Sequence, residues 1–482
     1  MKILVANEPF VRDFCRTQRW AARTRGRVLR APDWLAYATA VLERDLPHAL
    51  VRLIDFPALD WDKAKYRSVV EREQPDVVVL DSTTPSIASD IECARIAKEV
   101  AKSKVIMVGP HISAVPEETL TAADGAIDVA CLGEYDFSVR DAVRALGDPG
   151  ALAEVPGLCY MADGQPRRTA KRPLIADLDS LPFPAWHQLD LMRYFDGGKL
   201  YPYIDVISGR GCPNQCVFCL WPQVMHGLHY RLRSPGSVVD ELERDIALCP
   251  QVRRGEFFFE DDTFTVNRER AMSICDEILR RGLRITFSVN ARADTADREL
   301  FRLMKRAGCR ELLVGFESGT QDVLNKMHKR ITIEQSQSFV RLAHEERLHV
   351  HGCFVIGLPG ESEQTAAQTV DFALGLDLDT LQFSGAVPFP GTSLFAMCER
   401  EGWLTTRDWT RWLDAGEQAG VVSYPWMTMA QINHWVDEGL RRFYLRPSFM
   451  LKFLLSTRSR SDLYRKVRGA WNYFSYILER RA

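Results

Sequence analysis

The sequence has no uninterrupted apolar run of the roughly 18 to 20 residues that a transmembrane helix needs. The apolar part of Met1–Glu8 is too short for a secretory signal peptide. Neither sign of charge dominates, since 62 lysines and arginines face 64 aspartates and glutamates, for a formal net charge of −2. This balance argues against general nucleic-acid binding. We therefore predict a cytoplasmic protein that has no nucleic-acid partner.

The sequence also has no cysteine pattern typical of a disulfide framework. Its twelve cysteines are scattered over 482 residues, apart from one cluster, and both the size and the scatter argue against disulfides. Most isolated cysteines lie in apolar surroundings, where cysteine behaves as a small buried residue. The length is too great for one ordinary core, which predicts two or three domains in a reducing compartment.

The one cysteine cluster follows the apolar run Tyr203–Ser208, which predicts a buried strand. Its members are Cys212, Cys216 and Cys219. Three thiolates are one too few for a closed tetrahedral zinc site. A [4Fe–4S] cluster accepts cysteine thiolates readily, and three cysteines would keep one iron open for a substrate or cofactor. The alternative is a zinc knuckle that is completed by His226 or His229.

Residues 1–147 alternate short apolar strands with helical patterns, such as the strands Val77–Leu80 and Val105–Val108 around the helix Ile91–Lys102. This alternation predicts a parallel sheet with helices on both faces, a Rossmann-like domain. Ligands of such sheets bind at the carboxyl ends of the strands. Three loops are expected there: 81–86, 109–113 and 133–136.

The rest of the chain divides into three parts. Residues 148–200 are rich in glycine, proline and charge and predict a connector with a small hairpin. Residues 201–402 alternate strands and helices at barrel spacing, which predicts a partial (β/α)6 barrel with polar residues at the carboxyl ends of its strands. Residues 403–482 are expected to form a helical C-terminal region. The fold class is therefore α/β.

The cysteine loop after a first strand, with Phe218 before the third cysteine, resembles the signature of the radical S-adenosylmethionine (SAM) enzymes. The resemblance implies a [4Fe–4S] cluster on the three cysteines, cleavage of SAM to a 5′-deoxyadenosyl radical, and an electron donor such as flavodoxin or ferredoxin. It also implies SAM-binding residues in the barrel, namely Phe218, Asn290, Arg292, Glu317, Ser318, Gly357 and Gly360. Of Asp261 and Asp262, we expect one to enter the site, because neighbours on a strand face opposite sides.

The N-terminal domain resembles the cobalamin-binding domain that precedes the barrel in one radical SAM subgroup. Its G-P-H-x-S and L-G-E-x-D pieces are similar to that subgroup's loops. The resemblance implies cobalamin-binding residues at Ser82, Thr83, Gly109, Pro110, His111, Gly133 and Glu134. The D-x-H-x-x-G motif, whose histidine binds cobalt in other cobalamin proteins, is absent, so we expect no cobalt contact from His111. The alternative is a Rossmann-like module that binds no corrin.

Longer stretches, among them Phe257–Phe264 and His351–Glu361, resemble the hopanoid-biosynthesis-associated branch of these enzymes, which is linked to the cyclitol ether of bacteriohopanetetrol. The resemblance predicts ring contraction of the sugar head group of a hopanoid lipid. The alternatives are cobalamin-dependent C-methylation or oxidative cyclisation of another small molecule, and a non-catalytic iron–sulfur protein.

The C-terminal tail is strongly basic. From Arg441 onward, eleven lysines and arginines face only Asp462 and Glu479, and they are mixed with aromatic residues. Basic, aromatic-rich helices can lie on an anionic bilayer surface, which predicts peripheral contact with the inner membrane face. A recognisable RNA-binding module is absent. The alternative is a helical cap over the barrel with a solvated basic face.

Overall fold

Two sheets follow one another along the chain, and helices follow the second sheet. The computed structural model describes residues 1–12, 14–16, 22–23, 28–414, 417–418, 420–455 and 460–479. Within those ranges the architecture agrees with the predicted α/β class.

The first sheet is doubly wound. Its strands are β1 Lys2–Asn7, β2 Leu50–Asp55, β3 Val77–Asp81, β4 Lys104–Val108, β5 Val129–Cys131, β6 Leu158–Ala162 and β7 Gln165–Arg168. In the described residues the spatial order is β2-β1-β3-β4-β5-β6-β7. The first five strands are parallel, whereas β6 and β7 form an antiparallel hairpin on β5. The hairpin predicted in the connector is present, and it extends the N-terminal sheet.

Helices cover both faces of this sheet. They are α1 Asp33–Asp45, α2 Lys63–Glu73, α3 Ile87–Ala101, α4 Pro110–Ala114, α5 Pro116–Ala123, α6 Asp136–Ala145 and α7 Pro149–Glu154. Successive strand residues alternate between two cores: Ile3 and Val5 pack with α1, whereas Leu4 and Ala6 pack with α2 and α3. Because helices cover both faces of this parallel sheet, side chains on both faces are buried. Its strands therefore appear in the sequence as continuous apolar runs.

The second sheet is the partial barrel. Its strands are β8 Tyr203–Val206, β9 Glu256–Phe259, β10 Phe287–Ala291, β11 Cys309–Glu317, β12 His349–Ile356 and β13 Thr380–Gly385. Each strand pairs in parallel with the next one in the chain. The connecting helices are α8 Pro235–Leu248, α9 Arg268–Arg280, α10 Arg298–Ala307, α11 Gln321–Lys326, α12 Ile333–Glu345, α13 Glu363–Gly375 and α14 Ser393–Arg400. Capping boxes at Thr332 and Ser362 start α12 and α13.

The C-terminal helices pack at different places on the barrel domain, the first along the edge strand β13 and the last beside Phe195 and Tyr201. They are α15 Met429–Tyr444, α16 Pro447–Leu455 and α17 Arg460–Glu479. The Tyr444 hydroxyl donates to Leu381 O and accepts from Leu381 N–H, which satisfies polar groups of the edge strand β13. Across the described ranges, no helix combines the length and the apolar character needed to span a membrane. The tail residues Arg458, Arg480 and Arg481 lie outside the described residues.

The two sheet domains share one hydrophobic core. Trp34 from α1 and Tyr135 before α6 belong to the same buried cluster as Trp221 and Met225, which follow the cysteine loop. The remaining strands have two residues each: Phe14–Cys15, Ala22–Arg23, Gly209–Arg210, Arg231–Leu232, Leu413–Asp414 and Glu417–Gln418. The pair Gly209–Arg210 and Arg231–Leu232 forms an antiparallel ribbon directly before the first clustered cysteine.

The cysteine loop and the interdomain cavity

The cysteine loop is fixed at its start by backbone hydrogen bonds. Gly211 N–H donates to Nδ1 of His226 at 3.0 Å, and Cys212 N–H donates to Gly227 O at 3.2 Å. Further along the loop, Cys219 N–H donates to Cys216 O at 3.1 Å. Cys212 and Cys216 are buried, and Cys219 is partly exposed. The loop thus places three soft donors in a short, water-poor segment between the domains.

The charges around the cysteines favour an anionic group. Burial raises the pKa of the Cys216 thiol, while the positive charges of Lys329 and Arg292 act in the opposite direction. Although burial acts to lower it, Glu317 and Cys216 hold the pKa of Lys329 above its ordinary value. Thiolates beside fixed cations are the donor set that an iron–sulfur cluster uses. The residues present therefore fit a cluster at this loop.

The zinc alternative finds little support in the position of the two histidines. Both ring nitrogens of His226 face protein groups other than the cysteines, because Nδ1 accepts from Gly211 N–H and Nε2 lies 3.2 Å from Asp262 Oδ2. His229 is exposed. In the described part of the chain, no group of three or more His, Cys, Asp or Glu side chains stands in metal-binding geometry, and this includes the three cysteines of the loop, so this observation does not distinguish zinc from a cluster.

Glu317 ends β11 in a strained conformation. Its φ is +66°, a left-handed value that non-glycine residues adopt rarely and often at functional sites. One carboxylate oxygen accepts from Lys329 Nζ at 2.7 Å, and Oε2 is buried with no hydrogen-bond partner among the described residues. A Cβ on Gly315 would lie 2.3 Å from Glu317 Oε1, so a side chain at this position would displace the Glu317–Lys329 pair. The sequence indicated Glu317 but gave no signal for Gly315 or Lys329.

The other predicted SAM-binding residues lie around the same strand ends. Asn290 Nδ2 donates to Asp261 O at 3.0 Å, and Arg292 donates to Lys329 O at 2.8 Å. The Ser318 hydroxyl lies 3.2 Å from Thr369 Oγ1, and Phe218 is buried in the shared core. The two predicted glycines face protein atoms. A Cβ on Gly357 would meet Ile432, and a Cβ on Gly360 would meet Lys326, both at 2.6 Å.

The predicted cobalamin-binding residues lie at the carboxyl edge of the first sheet. Ser82 Oγ donates to Val108 O at 2.6 Å, and Thr83 Oγ1 lies 2.7 Å from Ser86 Oγ. Gly109 has φ +101°, and a Cβ there would lie 2.2 Å from Asp81 Oδ1, so only glycine permits this approach of the two loops. These contacts leave small residues along this edge, which fits the close approach of a large flat macrocycle.

The remaining members of that set contact other parts of the chain. His111 follows Pro110, the first residue of α4, and is buried. Its ring packs edge-to-face on Trp409, with 5.4 Å between centroids, and burial lowers its pKa to about 3, so it is neutral. Gly133 N–H donates to Ser113 Oγ. Glu134 accepts from both terminal nitrogens of Arg231 at 2.7 Å, across the domain boundary.

A small cavity of about 20 Å³ lies between the domains beside the cysteine loop. Its walls are Trp34, Ile207, Gly209, Arg210, Trp221, His226, Glu260 and Asp262. Trp34 of the N-terminal domain stacks on Trp221 of the barrel, with centroids 5.3 Å apart. A π-type turn over Trp221–His226 brings its two end rings to the same wall, 5.8 Å apart. Trp34 and Glu260 were not predicted as site residues, because no local sequence pattern links them to the cysteine loop.

The adjacent Asp261 and Asp262 have different surroundings, although β9 ends at Phe259 and the alternation along a strand that the prediction used does not reach them. Asp261 turns to the cysteine loop, where its carboxylate accepts from Ser208 N–H and Oγ, both at 2.6 Å, and from Tyr230 at 2.8 Å. Asp262 lines the cavity and faces His226. One carboxylate therefore fixes the start of the loop, and its neighbour lies at the wall of the cavity.

In comparisons with known proteins, separate family models match the N-terminal domain and the barrel. A family model described as the B12 binding domain matches residues 31–142, and one described as the Radical SAM superfamily matches residues 206–373. The chain is 32% identical to the uncharacterized methyltransferase PH0819 of Pyrococcus horikoshii, over 87% of this chain and 89% of that protein.

More distant relatives differ in their named activities. The anaerobic magnesium-protoporphyrin IX monomethyl ester cyclase of Cereibacter sphaeroides is 27% identical over 86% of this chain and 67% of its own length. The hopanoid C-3 methylase of Methylococcus capsulatus is 25% identical over 74% and 67%. Among solved structures, the radical SAM methyltransferase TsrM from Kitasatospora setae superposes with a TM-score of 0.66 at 20% identity, covering 84% of this chain and 77% of TsrM. That likeness shows the fold.

The chain belongs to the family of radical SAM enzymes with a B12-binding domain. The predicted superfamily, the enzymatic activity and the α/β fold of an N-terminal B12-binding domain, a barrel sheet and helices are confirmed, and so are the three predicted cofactors: a [4Fe–4S] cluster, SAM and cobalamin. The cyclitol-ether branch is not shown by the comparisons. The roles of individual site residues stay predictions.

Proposed function

We propose that this protein is a cobalamin-dependent radical SAM methyltransferase that acts on a carbon atom of a small molecule. One observation carries the proposal: both cofactor domains occur in a chain that matches a named methyltransferase at 32% identity over 87% of its length. The shared core supports it further, because the carboxyl edges of both sheets contribute to one interdomain region.

The residues around the cysteine loop and the strand ends have different proposed roles in binding the cluster and SAM. Cys212, Cys216 and Cys219 would hold the cluster. Glu317, oriented by Lys329, has a buried carboxylate oxygen available for a hydroxyl of SAM, and Asn290 and Arg292 border the same strand ends. When bound, the cluster and SAM supply a radical and cobalamin supplies a carrier for the methyl group. The protein's part is to orient these groups and to keep water away.

The walls of the interdomain cavity are our candidate for part of the substrate site, which must open to admit a substrate because its present volume of about 20 Å³ holds only about one water molecule. Its stacked tryptophans provide an apolar wall, and Asp262 and Glu260 provide polar groups that can fix the orientation of a ligand. Glu260 is itself held by Arg30, which donates to it at 2.8 Å. Because the walls come from both domains, the docking of one domain on the other shapes the cavity.

A polycyclic lipid of the hopanoid type is our finer proposal for the substrate. The 25% identity to a hopanoid C-3 methylase supports it. The C-terminal helices also support it, because their exposed apolar side chains offer a surface to a membrane. These side chains are Met450, Leu451, Leu463, Val467 and Trp471. Ring contraction of a hopanoid-bound sugar, which the sequence predicted, has no support among these relatives. Cyclisation is the activity named for one of them.

Electrons for the cluster must come from another protein. A flavodoxin or a ferredoxin is the donor class that we propose, because both deliver single electrons at low potential. The proposed place of action is the cytoplasmic face of the membrane, with the C-terminal helices on the lipid surface.

A labelling experiment with the reconstituted full chain tests the proposal. The protein is loaded with iron, sulfide and hydroxocobalamin, reduced with dithionite, and given SAM with a deuterated methyl group, together with either a lipid extract or a soluble-metabolite extract of its host. Methyl transfer predicts label in one product and formation of both S-adenosylhomocysteine and 5′-deoxyadenosine. Label in the lipid arm supports the lipid substrate, and label in the soluble arm rejects it.

The controls separate the alternatives. Cys216→Ala is expected to lose cluster absorbance and all products, because two thiolates seldom retain a [4Fe–4S] cluster. Formation of 5′-deoxyadenosine without transferred label would reject methylation in favour of ring contraction or cyclisation. If the wild-type chain cleaves no SAM, the result would support the alternative of a non-catalytic iron–sulfur protein.

A further inference from the structure

A ribbon of two short strands leads into the cysteine loop. Gly209–Arg210 pairs with Arg231–Leu232, and Arg210 stands directly opposite Arg231. Cys212 follows Arg210 by two residues. The ribbon and the loop are also tied by hydrogen bonds, because Arg231 donates to His226 O at 2.8 Å and the adjoining Gly227 O accepts from Cys212 N–H. A displacement of either arginine is therefore expected to move Cys212 as well, because few residues and hydrogen bonds separate them.

Both arginines are held by carboxylates of the N-terminal domain. Asp136 accepts from the two terminal nitrogens of Arg210, at 2.7 and 3.1 Å. Glu134 accepts from both terminal nitrogens of Arg231 at 2.7 Å and lies 3.7 Å from Arg210. Paired contacts of this kind fix the orientation of a guanidinium as well as its position.

The four residues form a charge-balanced group away from water. Side-chain exposure is 1% for Arg210, 0% for Asp136, 3% for Glu134 and 11% for Arg231. Burial acts to raise the pKa of Glu134, but Arg231 and Arg210 outweigh it and hold the pKa below its ordinary value. The guanidinium of Arg210 also lies 4.2 Å from the centre of the Trp34 ring, a second contact to the N-terminal domain.

We propose that Glu134 and Asp136 are positioning residues for the iron–sulfur cluster, which hold the cysteine loop through Arg210 and Arg231. Docking of the N-terminal domain then prepares the loop for the cluster. The inference rests on the proposed function only in that Cys212, Cys216 and Cys219 carry the cluster. In this proposal Glu134 acts by binding Arg231 of the barrel domain, whereas the sequence predicted a contact with cobalamin.

The test measures the cluster itself. Asp136→Asn and Glu134→Gln each remove one charge, and Arg210→Lys keeps the charge but removes the paired contact. Asp141→Asn is the matched control, because Asp141 lies on the same helix and pairs with Arg172 and Arg140, away from the ribbon. Each full-length variant is reconstituted, and its iron and sulfide content, the EPR spectrum of the reduced cluster, the rate of iron loss to a chelator and the melting temperature are recorded.

We expect the variants at 134, 136 and 210 to lose iron to the chelator about tenfold faster than wild type, in line with other partners that orient metal ligands. The control should behave as wild type, and cobalamin retention should not change. Cluster retention equal to wild type in Glu134→Gln and Arg210→Lys, or equal loss in Asp141→Asn, would overturn the proposal. If Asp136→Asn does not fold, those two variants decide. A wild-type chain that takes up no cluster would instead contradict the proposed function.

Discussion

Nε2 of His226 lies 3.2 Å from Oδ2 of Asp262, at the wall of the cavity between the two domains. Nδ1 accepts a hydrogen bond from Gly211 N–H, which anchors the ring to the start of the cysteine loop. The opposite edge of the ring faces the carboxylate of Asp262, so His226 links the cysteine loop to the candidate substrate site.

Replacing His226 with Gln is expected to lower the rate of product formation by about tenfold to a hundredfold, because Asp262 loses the ring that lies beside it and small misplacements at a site are costly. Rates are normalised to iron content, because His226 also holds Gly211 at the start of the cysteine loop. His229→Gln is the control, since His229 lies in the same segment but is exposed. Steady-state rates and iron content decide the matter, and equal rates in both variants would contradict the role of His226.

Replacing Lys329 with Met should destabilise the protein by about 3–5 kcal/mol, because it leaves the buried carboxylate of Glu317 without its cation. Chemical denaturation of the cofactor-free protein measures this loss. The exposed Lys326→Met is the control. Adding Glu317→Gln to Lys329→Met should recover part of the stability, because the uncompensated charge is then removed. A double variant no more stable than the single variant would show that lost packing, not charge, dominates.

Stability should also depend on pH through Glu361. Burial raises the pKa of this carboxyl to about 7, against an ordinary value of 4.5. Between these values the folded state holds a proton that the unfolded state has lost, so this contribution to the free energy of unfolding falls as pH rises. The slope approaches about 1.4 kcal/mol per pH unit.

The measurement compares unfolding free energies between pH 4.5 and 7 for wild type and Glu361→Gln. The difference between the two proteins should shift steadily in favour of the variant as pH rises, because a glutamine side chain carries no charge at any pH. The exposed Glu363→Gln is the control and should follow wild type. A constant difference across this range would show that Glu361 ionises normally.

Replacing Gly109 with Ala should weaken cobalamin retention, because the new Cβ would collide with the loop that carries Asp81 and Ser82. We expect a loss of stability of about 2–4 kcal/mol, which combines backbone strain and overpacking. Gly125→Ala is the control, since Gly125 also has a positive φ but has no atom within 4 Å of its Cβ position. Corrin absorbance after desalting, together with thermal unfolding, distinguishes the collision from simple strain.

The sequence by itself determined the principal elements and indicated the candidate ligands. Apolar runs that fill both faces of a parallel sheet, such as Val77–Leu80, predicted strands correctly, because period and composition are local properties. The spacing of Cys212, Cys216 and Cys219 indicated the cluster for the same reason, since all three donors lie on one short loop. The polar residues at strand ends were found because the carboxyl ends of parallel strands share one edge.

Only the tertiary structure decided which side chains meet across the domains. Trp34 and Trp221 are far apart in the chain, and no local pattern pairs them. Lys329 reaches Glu317 because α11 returns the chain to the end of β11, and Glu134 reaches Arg231 because α1 and α6 pack on the barrel. Such contacts depend on how two finished sheets dock, and docking is set by the shape of their shared core rather than by the pattern of either segment.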